Sequence, residues 1–274
     1  MEEVTVVTLT RRRPELLHRA MASVREQDYT GEIKHAIIVD DCAETMAALE
    51  SPSMSQKRHV TVHFEPRPQL MAPHSPSFGG AYSRVAFLLN EGVRRATSPW
   101  IALLDDDNEY EPDHLSSLME RAVTTGAEAV HSGRQILRHD GSPYLVPIFP
   151  WARERELGRR IHQMLCSRGV WVANTNVLLD RGGPPGPGRM VNSTVAGVND
   201  PVMLVDTSVW LLKRDLLVHC PIPEDFNRQD DEEGTCPDDK LLAALLARRT
   251  RIVMTGRPTL RYYLGGMSNA GPLA

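Results

Sequence analysis

The sequence predicts an α/β protein built on a largely parallel sheet with helices on both faces. Short β-branched runs alternate with segments of helical period, the joins between them are short, and three strand ends in the first third carry polar clusters. Val4 to Thr8 is β-branched and precedes a turn-prone polar stretch, as a buried strand does. Pro14 opens a helix, because a residue without an amide hydrogen is favoured in the first turn; Leu16, Leu17, Ala20, Met21 and Val24 then share one apolar face. Ile33 to Val39 reads as the second strand and Val60 to Phe64 as the third. The Pro-, Ser- and Gly-rich stretch from Leu70 to Gly80 reads as a surface loop ahead of a helix to Ala96, and Trp100 to Leu104 is the fourth strand. In such sheets ligands gather at the carboxyl ends of the strands. Here those ends are Thr8-Leu9-Thr10-Arg11, Asp40-Asp41 and Asp105-Asp106-Asp107.

The second half is less regular. A helix from Pro112 to Thr125 leads into an extended run from Ala129 to Arg138 and a turn at Asp140-Gly141. Arg181 to Arg189 encloses seven consecutive Gly or Pro residues and reads as a surface connection or as a flap over a substrate site. Val209 to Lys213 is expected as a strand and Lys240 to Ala247 as a helix. Arg251 to Met254 and Thr259 to Leu264 are expected as two short strands.

Composition narrows the function classes. With 274 residues, 41% hydrophobic and 24% charged, the chain can bury a sizeable core. Its net charge of −4, with no basic block, argues against a nucleic-acid partner. No run approaches the ~18 apolar residues of a membrane span, and Met1 to Val4 does not resemble a signal peptide. A cytoplasmic protein without an integral membrane segment is expected. Cys42, Cys166, Cys220 and Cys236 show no metal-ligand spacing and read as free thiols.

Ile101 to Glu109 is the most informative segment. Four apolar residues make a buried strand, and carboxylates begin where it leaves the sheet. If extended geometry persists, Asp105 and Asp107 point one way and Asp106 the other. Converging carboxylates repel, and Mn2+ or Mg2+ relieves that while keeping positions open for phosphate oxygens. An acidic helix cap is the plainer reading, and Asn108 to Asp113 can serve that purpose. A phosphohydrolase pattern lacks its Thr or Val, since Glu109 stands two after Asp107. A sugar-phosphate nucleotidyltransferase pattern lacks its Gly-rich loop after the first strand.

Three segments together resemble the family-2 glycosyltransferases. Val4 to Asp41 is similar to that family's opening, including the turn Thr10-Arg11-Arg12-Arg13-Pro14. Leu89-Asn90-Glu91-Gly92-Val93 with Ala96 resembles its RNxGIxxA helix, and Ile101 to Asp113 its metal motif. Asp206 to Arg214 resembles the acceptor-side strand, and Pro237 to Leu242, more loosely, the Glu-Asp catalytic segment. Arg12, Leu89 and Asp238 depart from the family's usual Asn, Arg and Glu; Arg84 or Arg95 is expected to compensate for Leu89.

The resemblance implies a GT-A fold: a Rossmann-like α/β/α sandwich with a mostly parallel central sheet and a smaller acceptor-side sheet. It implies one domain over 1–274, with 1–110 binding the nucleotide sugar and 111–274 the acceptor. The activity implied is a metal-dependent, inverting transfer from a nucleoside diphosphate sugar to a hydroxyl acceptor, such as a small soluble metabolite or saccharide. Thr8, Thr10, Arg11, Asp40, Asp41, Asn90, Asp105 and Asp106 are expected at the donor, and Asp107 with Asp105 at the metal. Asp239 is expected as the base, with Asp238 second, and Asp206 and Trp210 are expected at the acceptor. Asp239 and Asp238 also read as plain helix caps, and Asp230 to Glu233 as a solvated charge run. The other reading is a non-catalytic nucleotide- or carbohydrate-binding module on a degenerate scaffold. Homo-oligomerisation is left open.

Overall fold

The first half of the chain forms four strands in parallel, the second, third and fourth each following a helix. The computed structural model describes residues 1–51, 59–67, 79–152, 154–182 and 204–266. The stretch 70–78 and most of the Gly/Pro loop therefore lie outside the described residues. Strand β1 (Val4–Thr10) pairs in parallel with β2 (Ile33–Asp40) on one side and β4 (Trp100–Asp105) on the other, and β2 pairs with β3 (Val60–Glu65). Residues of β1 and β4 are buried along nearly their whole length, which is why both read as continuous apolar runs.

Helices cover both faces. Helix α1 (Pro14–Arg25) buries Leu17, Ala20, Met21 and Val24; Leu17 and Met21 meet Ile37, Val39 and Leu49 in a small second core cluster. Leu49 belongs to α2 (Ala43–Glu50), a helix the sequence pattern did not reveal. Only Thr45 and Leu49 of α2 are buried, so it lacks an apolar stripe. On the opposite face α3 (Gly79–Arg95) packs so closely that a Cβ on Gly92 would lie 2.4 Å from Val7 Cγ1. That explains a glycine in the middle of a long helix.

The second half extends the same sheet. After β5 (Glu109–Tyr110) and α4 (His114–Thr125) come β6 (Ala129–Leu137), α5 (Arg155–Ser167) and β7 (Val177–Leu178). Then follow β8 (Trp210–Lys213), α6 (Arg214–His219), α7 (Arg228–Glu233), α8 (Pro237–Ala247) and β9 (Ile252–Tyr263). The strand order is β3-β2-β1-β4-β8-β6-β9-β5, with β7 also on β6, so the strands of the second half join through the antiparallel β4–β8 pair. The two short strands expected at the C-terminal end are one strand, β9. The Gly256-Arg257-Pro258 breaker is absorbed by a left-handed Gly256 (φ 73°) and by a register shift against β6.

Candidate active site

Two charged runs meet because their strands are neighbours. Leu9 lies opposite Asp105 across β1 and β4, so the arginines leaving β1 face the aspartates leaving β4. β4 ends at Asp105 and the chain turns at once, so the alternation expected of extended backbone stops there. Arg13 accordingly reaches both Asp106 (Nη2 to Oδ1, 2.7 Å) and Asp107 (Nη1 to Oδ2, 2.8 Å). Asp106 is only 1% exposed; burial pushes its carboxyl up to about 7 in spite of Arg13. Arg12 and Asp41 leave β1 and β2 with left-handed backbone (φ 57° and 44°), an uncommon conformation for such residues and one that clusters at functional sites.

Asp105 is tied to the second half. Its carboxylate accepts the Ser208 hydroxyl at 3.0 Å, and its amide donates to the same oxygen at 3.0 Å. Ser208 sits in a 3-10 turn, Thr207–Val209, that Asp206 caps by accepting the Ser208 amide at 2.9 Å. Asp206 also pairs with the buried Arg134, whose guanidinium reaches Asp180 at 3.1 Å. The Asp206 amide donates to Asp180 Oδ1 at 3.1 Å. Arg134 lies against the Trp151 and Tyr262 rings at 5.1 and 5.0 Å. The neighbouring Thr207 hydroxyl donates to Asp238 Oδ1 at 3.1 Å.

Asp105, Asp107, Asp206 and Asp238 therefore share one electrostatic field. Burial, then the charges of Asp206, Asp107 and Asp238, push Asp105 well above the ordinary carboxylate range. Burial also raises Asp107, against Arg13 and with Asp206. Asp238 is pushed up to about 7 by burial and then by Asp206 and Asp239. Such a cluster fits a divalent cation. Among the described residues, however, no group of three or more His, Cys, Asp or Glu side chains is arranged to hold one unaided. Two carboxylates with the remaining positions left to phosphate oxygens and water is the usual provision for Mg2+-like ions.

Other expected residues stand elsewhere. Thr8 is buried and bonded to His35 Nε2 at 2.9 Å, inside the layer under α1, so it cannot touch a nucleotide. Asn90 ties α3 to the segment before α7: it donates to Ile222 O (2.9 Å) and Glu224 (2.8 Å) and accepts the Ile222 amide (3.0 Å). Trp210 is fully buried, edge-on to His131, and offers no face to an acceptor. Asp239 is locked in a capping box at the start of α8, accepting from the Cys236 amide and thiol, both at 3.0 Å.

Asp40, Thr10 and Arg11 remain at the strand ends. Thr10 is buried beside Asp106, while Arg11 is half-exposed, 3.9 Å from Asp40. Asp40 accepts from Arg84 (2.9 Å) and Arg67 (2.6 Å); burial would raise its carboxyl, but the two arginines hold it below its ordinary value. Arg84 is thus committed to the Asp40 side, whereas Arg95 pairs with Glu65 and Glu91. Asp41 is exposed. Within the expected charge run, Asp230 pairs with Lys240 at 3.0 Å and Glu232 with Arg228 at 2.8 Å.

Arg13, Arg67, Arg134, Asp180, Thr207 and Ser208 were not singled out from the sequence. For Arg13 a signal existed: an Arg run and an Asp run at the carboxyl ends of two strands of one parallel sheet are expected to pair when those strands are neighbours.

Residues 86–174 match the family described as glycosyl transferase family 2. That stretch includes Asp105 to Asp107 but not Asp238. The succinoglycan biosynthesis protein ExoO of Rhizobium meliloti (strain 1021) is 29% identical over 140 residues, which are 51% of this chain and 35% of that protein. The match thus spans about a third of that relative's length. The fold is similar to S. aureus TarS 1–349 (TM-score 0.56, 12% identity, 95% of this chain and 60% of that one). It is equally similar to that protein in complex with UDP-GlcNAc (TM-score 0.55, 10% identity, 98% and 61%). The mannosyltransferase PcManGT from Pyrobaculum calidifontis, in complex with GDP-Man and Mn2+, gives a TM-score of 0.54 at 15% identity over 97% of this chain and 58% of that one.

Proposed function

We propose, from the premise that the chain belongs to the family-2 glycosyl transferases and has the GT-A fold, that it transfers a sugar with inversion from a nucleoside diphosphate donor to an acceptor hydroxyl. One observation carries this: the carboxylates leaving β4 and the carboxylate opening α8 meet in one acidic cluster, bridged by the turn at Asp206. Asp105 and Asp107 would hold Mn2+ or Mg2+, which when bound offsets charge on the departing diphosphate. Arg13, beside Asp107 and half-exposed, adds a fixed cation on the same side. Asp40, Arg67 and Arg11 line the strand ends where the nucleoside lies.

Asp238 takes the proton of the acceptor hydroxyl. The acceptor oxygen bonds to the anomeric carbon as the bond to the diphosphate breaks on the other face, which inverts that carbon. A carboxylate raised to about 7 is a strong enough base for the task and is half ionised near neutrality. Asp239 keeps the helix cap. Residues 1–110 bind the donor and 111–274 the acceptor. The nucleotide sugars held by TarS and PcManGT support a donor of that class, and the name of ExoO supports a saccharide acceptor. No helix among the described residues is long and apolar enough to cross a membrane.

The test is thermal stabilisation by UDP or GDP with Mn2+. A rise in melting temperature that needs both components, and that vanishes in Asp107→Ala, is expected. An equal rise in that variant would remove the metal from this reading.

A further inference from the structure

We propose, resting on the transferase reading above, that Thr207 and Ser208 are positioning residues: adjacent hydroxyls on one short turn that aim the base Asp238 and the metal-side carboxylate Asp105 together. The turn has two outputs. Thr207 Oγ1 donates to Asp238 Oδ1 at 3.1 Å, and Ser208 Oγ donates to Asp105 Oδ2 at 3.0 Å while accepting the Asp105 amide at 3.0 Å. Asn108 Nδ2 lies 3.4 Å from the same Ser208 oxygen. Each hydroxyl engages one oxygen of its carboxylate and so sets the direction of the other.

The turn is also anchored from behind. Asp206 accepts the Ser208 amide, donates its own amide to Asp180 and pairs with Arg134. Arg134 bridges to Asp180 and is enclosed by Trp151 and Tyr262, so it cannot swing away. A side chain of 3% exposure paired with two carboxylates is costly to misplace. The spacing between the proton acceptor and the diphosphate side is thus set by three consecutive residues on a rigid mount. A purely structural turn would need the cap at Asp206, but not two hydroxyls directed at two different carboxylates of the site.

The test uses the full chain as wild type, Thr207→Val, Thr207→Ser and Ser208→Ala. Turnover is measured with UDP-GlcNAc and GDP-mannose, and UDP and GDP are titrated calorimetrically with Mn2+. Thr207→Val removes the hydroxyl at nearly constant volume. It is expected to lower kcat about 10–100-fold, the range typical of residues that orient a ligand-holding group, with nucleotide Kd unchanged, and Thr207→Ser restores kcat. Ser208→Ala is expected to weaken Mn2+-dependent nucleotide binding about 10-fold and to raise the donor KM. Losses of kcat and Kd in equal proportion in both variants, losses that track melting temperature, or no change in either would overturn the proposal. A wild type that binds nucleotide with Mn2+ yet uses neither donor counts against the transferase reading instead. The Ser208→Ala titration then decides the positioning, an unchanged Kd refuting it.

Discussion

Asp238 and Asp239 are chemically identical neighbours with different tasks, and their places in helix α8 separate them. Pro237 is the first helical residue, so Asp239 falls at the third position, where a side chain folds back onto the amide of the capping residue, here Cys236. Asp238, one residue earlier, meets Thr207 and the field of Asp206. The proposed base works only when ionised, and its carboxyl is raised to about 7. Turnover should therefore rise with pH, reach half its plateau near pH 7 and vanish in Asp238→Asn while nucleotide binding persists. Asp239→Ala should keep turnover but lose about 1 kcal/mol of stability in denaturant melts, the usual scale for one capping contact. Reversed phenotypes in the two variants would return the base to Asp239. The sequence held this clue, since Cys236-Pro237-Asp238-Asp239 places an acid three residues after a cap. Two adjacent acids nevertheless look alike until the cap itself is located.

At the scale of elements, the contact between α3 and β1 fixes how closely the helix seats on the strand. Gly92 lets the helix approach Val7, and an added methyl would sit 2.4 Å from Val7 Cγ1, well inside normal contact. Gly92→Ala gains helix propensity but overpacks a β-branched core residue, so a net loss of about 1–3 kcal/mol is expected by equilibrium unfolding. A stabilised variant would mean that β1 can retreat, and with it the strand end carrying Thr10 and Arg11. The glycine was legible as part of the RNxGIxxA-like helix, and the element bounds were legible wherever period and breakers agreed, as in α1 and β2. They failed where burial ignored the pattern: α2 buries too little to show a stripe, and β9 runs through a Gly-Arg-Pro breaker because pairing with β6 continues on both sides.

At the scale of the whole molecule, three histidines among the described residues are enclosed, and burial disfavours their charged form. His35 bonds Thr8; His114 stacks on Tyr110 at 3.9 Å and bonds Thr259; His131 accepts the Gly182 amide at 3.2 Å. Burial lowers them to about 4, about 3 and about 4 respectively. Their folded values lie below the unfolded value, so the unfolded chain takes up protons that the fold refuses. Stability is unaffected above about pH 6.5 and falls as pH drops from there toward 4, by on the order of 1.4 kcal/mol per pH unit for each histidine. Buried Asp106, Asp180 and Asp238, raised to about 7, act in the opposite direction. The informative quantity is therefore the difference between two chains. His35→Gln should lose less melting temperature than wild type between pH 6.5 and 4.5, and an identical loss would show that His35 ionises within the fold.

The amino-acid sequence by itself determined the parallel half of the sheet, the helix opened by Pro14 and the acidic strand end at Asp105 to Asp107. Those features depend on period, turn chemistry and neighbours along the chain. Only the tertiary structure decided that Thr8, Asn90 and Trp210 are internal, that Arg13 turns toward two aspartates, and that Arg134 stands behind Asp206. Burial and charge come from residues far apart in sequence: Arg134 and Asp206 are separated by 72 positions, Asp105 and Ser208 by 103. No local pattern records such a meeting, because it exists only once β4, β6 and the turn before β8 have been brought together by the sheet.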